Sequence, residues 1–289
     1  MSTMSARNFD AETFKRSTRE QWDRTAAAWN DHAPLIRAWL RQATEAMLNM
    51  AAVKEGSRVL DVAAGAGDQT LDIAARVGPN GHVLASDLSA DILAFARENA
   101  ARAGYRNVET HAADGERLGV PAESFDAAVC RLGLMFFPDP LQGLREMRAA
   151  LKPGSMACTM VFAAPQANPC VAICMMTALQ HAGLPPRDPY QPGGLMSLGK
   201  PGLIDELFAQ AGFRDVATTR LAAPFRLASA GAYLDFIRTS AGPILQIMSR
   251  LDDAARQGAW DEMEAKLRRF DTADGWIGPN ELLLTAGRR

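Results

Sequence analysis

Residues 59–70 read VLDVAAGAGDQT, and this stretch decides the fold. Val59, Leu60 and Val62 form the apolar run of a buried strand. Gly65 and Gly67 then let the main chain turn sharply and bring its N–H groups close to a ligand. From Leu71 the pattern LDIAARV has helical spacing, with Leu71, Ala74 and Ala75 on one face. Strand, glycine turn and helix together open a nucleotide-binding unit. Asp87 follows Gly67 by twenty residues, after a second apolar run, HVLAS. An acid there is placed to accept hydrogen bonds from both ribose hydroxyls of an adenosine.

The six positions from Gly65 are Gly-Ala-Gly-Asp-Gln-Thr. A dinucleotide site prefers glycine at the sixth, where helix and strand pack closely beside a pyrophosphate. Here the sixth is Thr70, and the fourth, Asp68, is a carboxylate that would repel phosphate. Asp61 adds another acid at the strand end. Such a set suits an adenosine ligand with a cationic amino-acid end and no phosphate, as in S-adenosylmethionine. Asp68 reads equally as a helix cap. A nicotinamide-dependent oxidoreductase remains a weaker alternative.

Along the chain, strands are predicted near 58–62, 82–86, 108–111, 126–131 and 155–163, and helices near 69–77, 89–103 and 140–151. Strands alternating with helices imply a doubly wound, mainly parallel sheet. Asp61, Asp87, Asp114 and Arg131 all fall at carboxyl ends of predicted strands, the edge where such sheets bind ligands.

Several ordered segments resemble the class I S-adenosylmethionine-dependent methyltransferases, in particular the ubiquinone/menaquinone biosynthesis C-methyltransferases and related small-molecule enzymes. VLDVAAGAGDQT is similar to their first motif, with Ala63 in place of its first glycine. LASDLS (84–89) resembles the ribose-binding strand end, and AADGERL (112–118) the segment whose acid meets adenine. FDAAVCRLGLMFFPDP (125–140) resembles the fourth strand and active-site loop. LREMRAALKPGSMACTMVFA (144–163) resembles the following helix, Lys-Pro-Gly turn and fifth strand. The resemblance covers about residues 50–165 and speaks to cofactor and fold more than to substrate.

It implies a Rossmann-like, mainly parallel seven-stranded α/β sheet with a helical cap. It also implies S-adenosylmethionine as cofactor, held by Asp61, Ala63, Gly65, Gly67, Asp68, Asp87, Leu88, Asp114, Gly115 and Arg131. Arg131 would pair with the cofactor carboxylate, with an anionic substrate, or with a local acid such as Asp61.

The expected organisation is an N-terminal helical lid (1–50), a cofactor-binding core (51–165), a cap insertion (166–199), a continuation of the core (200–227), a second cap insertion (228–277) and a last core strand (278–289). Within this, 213–227 reads as the sixth strand and 281–287 as a closing antiparallel strand. Trp22, Trp29 and Trp39 stand seven and ten residues apart, so they can share a side of a helical segment. WDRTAAAWN resembles the aromatic N-terminal helix that often closes over the cofactor in this family; packing against the core is the plainer reading.

Methyl transfer needs alignment of the acceptor more than a dedicated catalytic motif, and none is evident. His32 and His181 fall in cap segments and are candidate bases for a hydroxyl acceptor. Trp29, His32, Met135 and His181 are the candidate substrate-pocket residues. The Met-, Leu-, Ile- and Phe-rich caps suggest an apolar or aromatic small molecule, methylated on oxygen or carbon. Quinone-ring C-methylation and a non-methylating protein of this fold are the alternatives.

Bulk properties narrow the rest. The 31 Lys and Arg are offset by 33 Asp and Glu, a net charge of −2, and no long basic run occurs, which disfavours a nucleic-acid partner. No apolar stretch is long enough to span a membrane, and charge interrupts the start where a signal peptide needs an apolar core. A cytoplasmic location is expected; the oligomeric state is not encoded. Cys130, Cys158, Cys170 and Cys174 lack zinc spacing, so no metal is expected.

Overall fold

The computed structural model describes residues 10–289. The first nine residues of the expected lid, and most of the segment weighed as a signal peptide, lie outside the described residues.

Two helices come first, α1 (Ala11–Asp31) and α2 (Ala33–Met50). Asp10 caps α1 by accepting from the Thr13 N–H at 3.1 Å. Pro34, near the start of α2, breaks the run between them. The tryptophans therefore sit on two helices, Trp22 and Trp29 on α1 and Trp39 on α2, rather than on one.

The chain then alternates: β1 (Arg58–Val62), α3 (Asp68–Val77), β2 (His82–Asp87), α4 (Ala90–Arg102), β3 (Val108–Ala112), β4 (Phe125–Arg131), α5 (Pro140–Ala150) and β5 (Leu151–Phe162). Helix α6 (Pro169–His181) and helix α7 (Leu203–Gln210) precede β6 (Arg214–Ala222) and β7 (Phe225–Leu227). Next come α8 (Ala230–Ser240), α9 (Gly242–Met248), α10 (Asp253–Leu267), β8 (Asp271–Thr272), β9 (Gly275–Gly278) and β10 (Glu281–Arg288).

Seven strands form one sheet in the order β3-β2-β1-β4-β5-β10-β6. β1, β2, β3, β4 and β5 pair in parallel, while β10 runs antiparallel between β5 and β6. The central strands are buried on both faces, which is why Val59, Leu60, Ala127, Val129 and Leu284 read as continuous apolar runs.

The sequence expectation of one sixth strand over 213–227 is corrected. Pro224 interrupts it, and β7 leaves the main sheet to pair with β9 in a second, three-stranded sheet ordered β7-β9-β8. Its strands are two to four residues long, too short to leave an alternating pattern. Among the described residues no helix is long and apolar enough to cross a membrane.

Candidate functional site

The parallel strands end along one edge, and the loops leaving that edge line a cavity roofed by α1, α2, α6, α8 and α9. Sequence order and sheet order together bring distant acids to this edge.

Asp87 closes β2. Its Oδ2 accepts from the Gly65 N–H and its Oδ1 from the Ser89 N–H, both at 3.0 Å. The carboxylate is thereby fixed in the cavity wall, and burial raises its pKa despite those donors. Asp114 follows β3. Its Oδ1 accepts from the Glu116 N–H at 2.9 Å and its Oδ2 from Lys15 Nζ at 2.7 Å. Lys15 also reaches Glu116 at 2.5 Å, so α1 is tied across the mouth of the cavity. Asp23 of α1 accepts from the Ser89 hydroxyl at 2.5 Å, a second tie to the same edge.

At the end of β4, Arg131 forms a buried ion pair with Asp68 and donates to Thr44 Oγ1 at 2.9 Å. The open reading of Arg131 thus resolves to a local acid, but to Asp68 rather than Asp61. Asp68 is also not the cap of α3: Gly67 holds that position, in a left-handed conformation with φ 85°. Because Arg131 neutralises Asp68, its charge no longer argues against phosphate.

Two non-glycine residues lining the cavity, Ala63 and Leu132, have φ of 56° and 57°. L-residues occupy that region at a cost of roughly 1–2 kcal/mol, and such strain gathers at functional sites. The conformation at Ala63 is one glycine adopts freely, consistent with glycine at this place in the resembled motif.

Most of the residues singled out from the sequence line this cavity: Ala63, Gly65, Asp68, Asp87, Leu88 and Asp114, together with Gly115, Arg131, Trp29 and Met135. Four do not. Asp61 lies behind the wall, fully buried, held by Gln69 Nε2 and by Thr70 Oγ1 at 2.7 Å. Burial pushes its carboxyl up to about 7 against those donors and the nearby Arg131. Gly67 serves packing: a Cβ there would stand 2.8 Å from Ala96 Cβ on α4. His32 meets Thr239 Oγ1 at 2.6 Å and the Phe236 ring edge-on, and His181 pairs with Glu262 at 2.8 Å. Neither histidine lines the cavity, so the structure does not support their reading as bases.

Away from the acids the wall is aromatic and aliphatic. Trp39 stacks on Phe225 with ring centroids 3.9 Å apart, and Trp22 meets Trp29 edge-on at 5.3 Å. Phe162, Val171, Met175 and Tyr233 continue this surface. Sequence reasoning missed Lys15, Trp39, Tyr233 and Asn280, all in the lining. Only the aromatic content of the helical segments hinted at any of them.

Residues 35–177 match the model of the ubiE/COQ5 methyltransferase family. A demethylmenaquinone methyltransferase from Listeria monocytogenes serotype 4a (strain HCC23) is 40% identical over 107 residues, 37% of this chain and 45% of that protein. The ubiquinone/menaquinone biosynthesis C-methyltransferase UbiE of Hahella chejuensis is 36% identical over 126 residues, 43% of this chain and 50% of that protein. The chain spans about half the length of the curated relatives it matches. Among solved structures, phosphoethanolamine N-methyltransferase 2 of Haemonchus contortus, bound to phosphomonomethylethanolamine and S-adenosylhomocysteine, aligns with a TM-score of 0.59. It is 16% identical, and the alignment covers 94% of this chain and 60% of that one. At that identity the likeness shows the fold.

Proposed function

We propose that this chain, a class I S-adenosylmethionine-dependent methyltransferase in fold and core sequence, transfers a methyl group to an oxygen or carbon of a small, apolar or aromatic molecule. The observation that carries the reading is the polarity of the cavity. Its charged lining residues are Lys15, Asp68, Asp87, Asp114, Glu116 and Arg131, at the start of α3, the ends of β2 and β4, the loop after β3, and α1. The rest of the wall is largely aromatic and aliphatic.

The donor set fits the cofactor. Each Asp87 oxygen takes one main-chain N–H and keeps lone-pair capacity for a ribose hydroxyl. Asp68, already paired with Arg131, keeps lone pairs for the ammonium of a methionine end, and Arg131 has N–H donors for its carboxylate beyond those given to Asp68 and Thr44. Asp114 and Gly115 would hold the adenine, with Leu88 as an apolar surface for its ring, and Gly65 and Ala63 would meet the methionine end. When bound, S-adenosylmethionine supplies a sulfonium methyl for in-line displacement. The chain supplies alignment and exclusion of water, with α1 and the cap helices closing over the reacting atoms.

Quinone-ring C-methylation is the second reading, favoured by the names of the relatives. The family match takes in part of the apolar wall, with Trp39, Phe162, Val171 and Met175. The family match ends at residue 177. Phe225, Tyr233, Phe236 and Ile244, which line the apolar half, fall beyond it.

The test is Asp87→Asn, which keeps shape but removes the charge. Affinity for S-adenosylhomocysteine is expected to fall about 100-fold, on the order of 3 kcal/mol for two charge-assisted hydrogen bonds; because the variant's amide N–H faces a main-chain N–H, the melting temperature falls too, and affinity is read well below it. Unchanged affinity would remove Asp87 from the ribose site.

A further inference from the structure

On α8, Tyr233, Phe236, Ile237 and Ser240 all line the cavity, and their spacing is that of one helical face. Tyr233 brings a phenol to that face. The residue is 2% exposed, yet its hydroxyl makes no hydrogen bond among the described residues. Four other side-chain polar atoms are unpaired, His82 Nδ1, Ser86 Oγ, Thr159 Oγ1 and Asn280 Nδ2, but these are covered by their neighbours. The Tyr233 hydroxyl is not among them: part of it is open to a water-sized group, and the void that Tyr233 lines is the cavity. Buried polar groups are nearly always paired, so an open, unpaired one calls for a partner from outside the chain.

The ring is held from two sides. It stacks on Trp276 with centroids 5.0 Å apart and meets Phe225 edge-on at 5.2 Å. Trp276 is itself fixed, donating from Nε1 to the Leu267 carbonyl at 2.9 Å. Phe225 belongs to β7 and Trp276 to β9, so the small second sheet orients the phenol. Burial, with Cys174 and Cys170 of α6 nearby, pushes its pKa well above the ordinary tyrosine range, so it is a neutral O–H donor at neutral pH. Those cysteines adjoin Val171 and Met175, which line the cavity. Other polar groups of the apolar wall are engaged: Trp39 Nε1 donates to the Ala223 carbonyl at 2.7 Å, and the Ser240 hydroxyl to the Phe236 carbonyl. A clamped ring with a free O–H in an apolar wall is a preorganised recognition group.

We infer that the Tyr233 hydroxyl donates a hydrogen bond to an oxygen of the methyl acceptor. The inference rests on the proposed function and deepens it. It selects a neutral acceptor with a ring-sized apolar frame carrying a carbonyl, hydroxyl or ether oxygen. The phenol has no charge to meet an anion, and neither do the rings of Phe225 and Phe236 beside it on the same wall.

The experiment measures binding of 1-tetralone and of tetralin, the same frame without the oxygen, to full-length protein saturated with S-adenosylhomocysteine, using ligand-observed NMR. Tyr233→Phe removes the hydroxyl and keeps the ring. Comparing the ratio of the two dissociation constants between wild type and variant cancels the probes' different hydrophobicity. The ratio is expected to shift about tenfold toward tetralin in the variant, the worth of one hydrogen bond, with tetralin affinity unchanged. The ligand-free variant should melt no lower than wild type, since the hydroxyl it loses has no partner in the chain. An unchanged ratio, binding of neither probe by wild type, or a lowered melting temperature, the mark of a structural hydroxyl, overturns the inference and leaves the proposed function standing. Failure of S-adenosylhomocysteine to saturate the wild type overturns the proposed function itself, and the inference with it.

Discussion

Asp61 is buried in the middle of the sheet, and its cost depends on pH. Its carboxyl is pushed from 3.8 to about 7, chiefly by burial. Between those values the native protein holds a proton that the unfolded chain has released, so stability falls as pH rises through the window and levels off above about 7. Asp61→Asn removes this titration while leaving an acceptor for Gln69 and a donor toward Thr70. Thermal melts from pH 5 to pH 8 are therefore expected to show a smaller loss for the variant than for wild type. Parallel pH dependences would contradict the assignment. The sequence displayed Asp61 as an acid at a strand end but not which way it faced. That depended on Gln69 and Thr70, in the first turn of α3, turning back onto the strand. The partner of Arg131 was equally hidden, since Asp68 is 63 residues away and only the fold makes them neighbours.

At the scale of elements, the alternation from β1 to β5 was legible because strands buried on both faces must be apolar and the intervening helices carry a 3.6-residue stripe. The second sheet was not: its strands are short, and β7 reads as an extension of β6 until Pro224 is given weight. The turn between β1 and α3 shows what its glycines do. Gly67 has a left-handed backbone and lies against α4, where an added Cβ would meet Ala96 Cβ at 2.8 Å and Ala96 Cα at 2.9 Å. Gly67→Ala is expected to cost about 2–4 kcal/mol, combining left-handed strain with overpacking. Gly119, with φ 65° and nothing within 4 Å of an added Cβ, is the control. Gly119→Ala should lose only the backbone part, about 1–2 kcal/mol. Denaturant unfolding of both variants checks this, and equal losses would mean that the contact with α4 does not matter.

Over the whole molecule the chain reads as two functional halves that meet in one cavity. The half with alternating strands and helices carried its own signature, because a glycine turn, a strand-end acid and a regular rhythm are local features. The apolar half is assembled from α1, α2, α6, β7, α8, α9 and the residue before β10, which are scattered along the chain and share no motif. Asn280, a single polar residue in a two-residue connection, left no sequence signal. On the function proposed, the charged end of this cavity holds the adenosine and methionine parts of one cofactor. The most direct test is calorimetric titration of the wild-type protein with S-adenosylhomocysteine. Saturable binding at one site per chain is expected. A folded sample that ignores S-adenosylhomocysteine but binds NADH would contradict it.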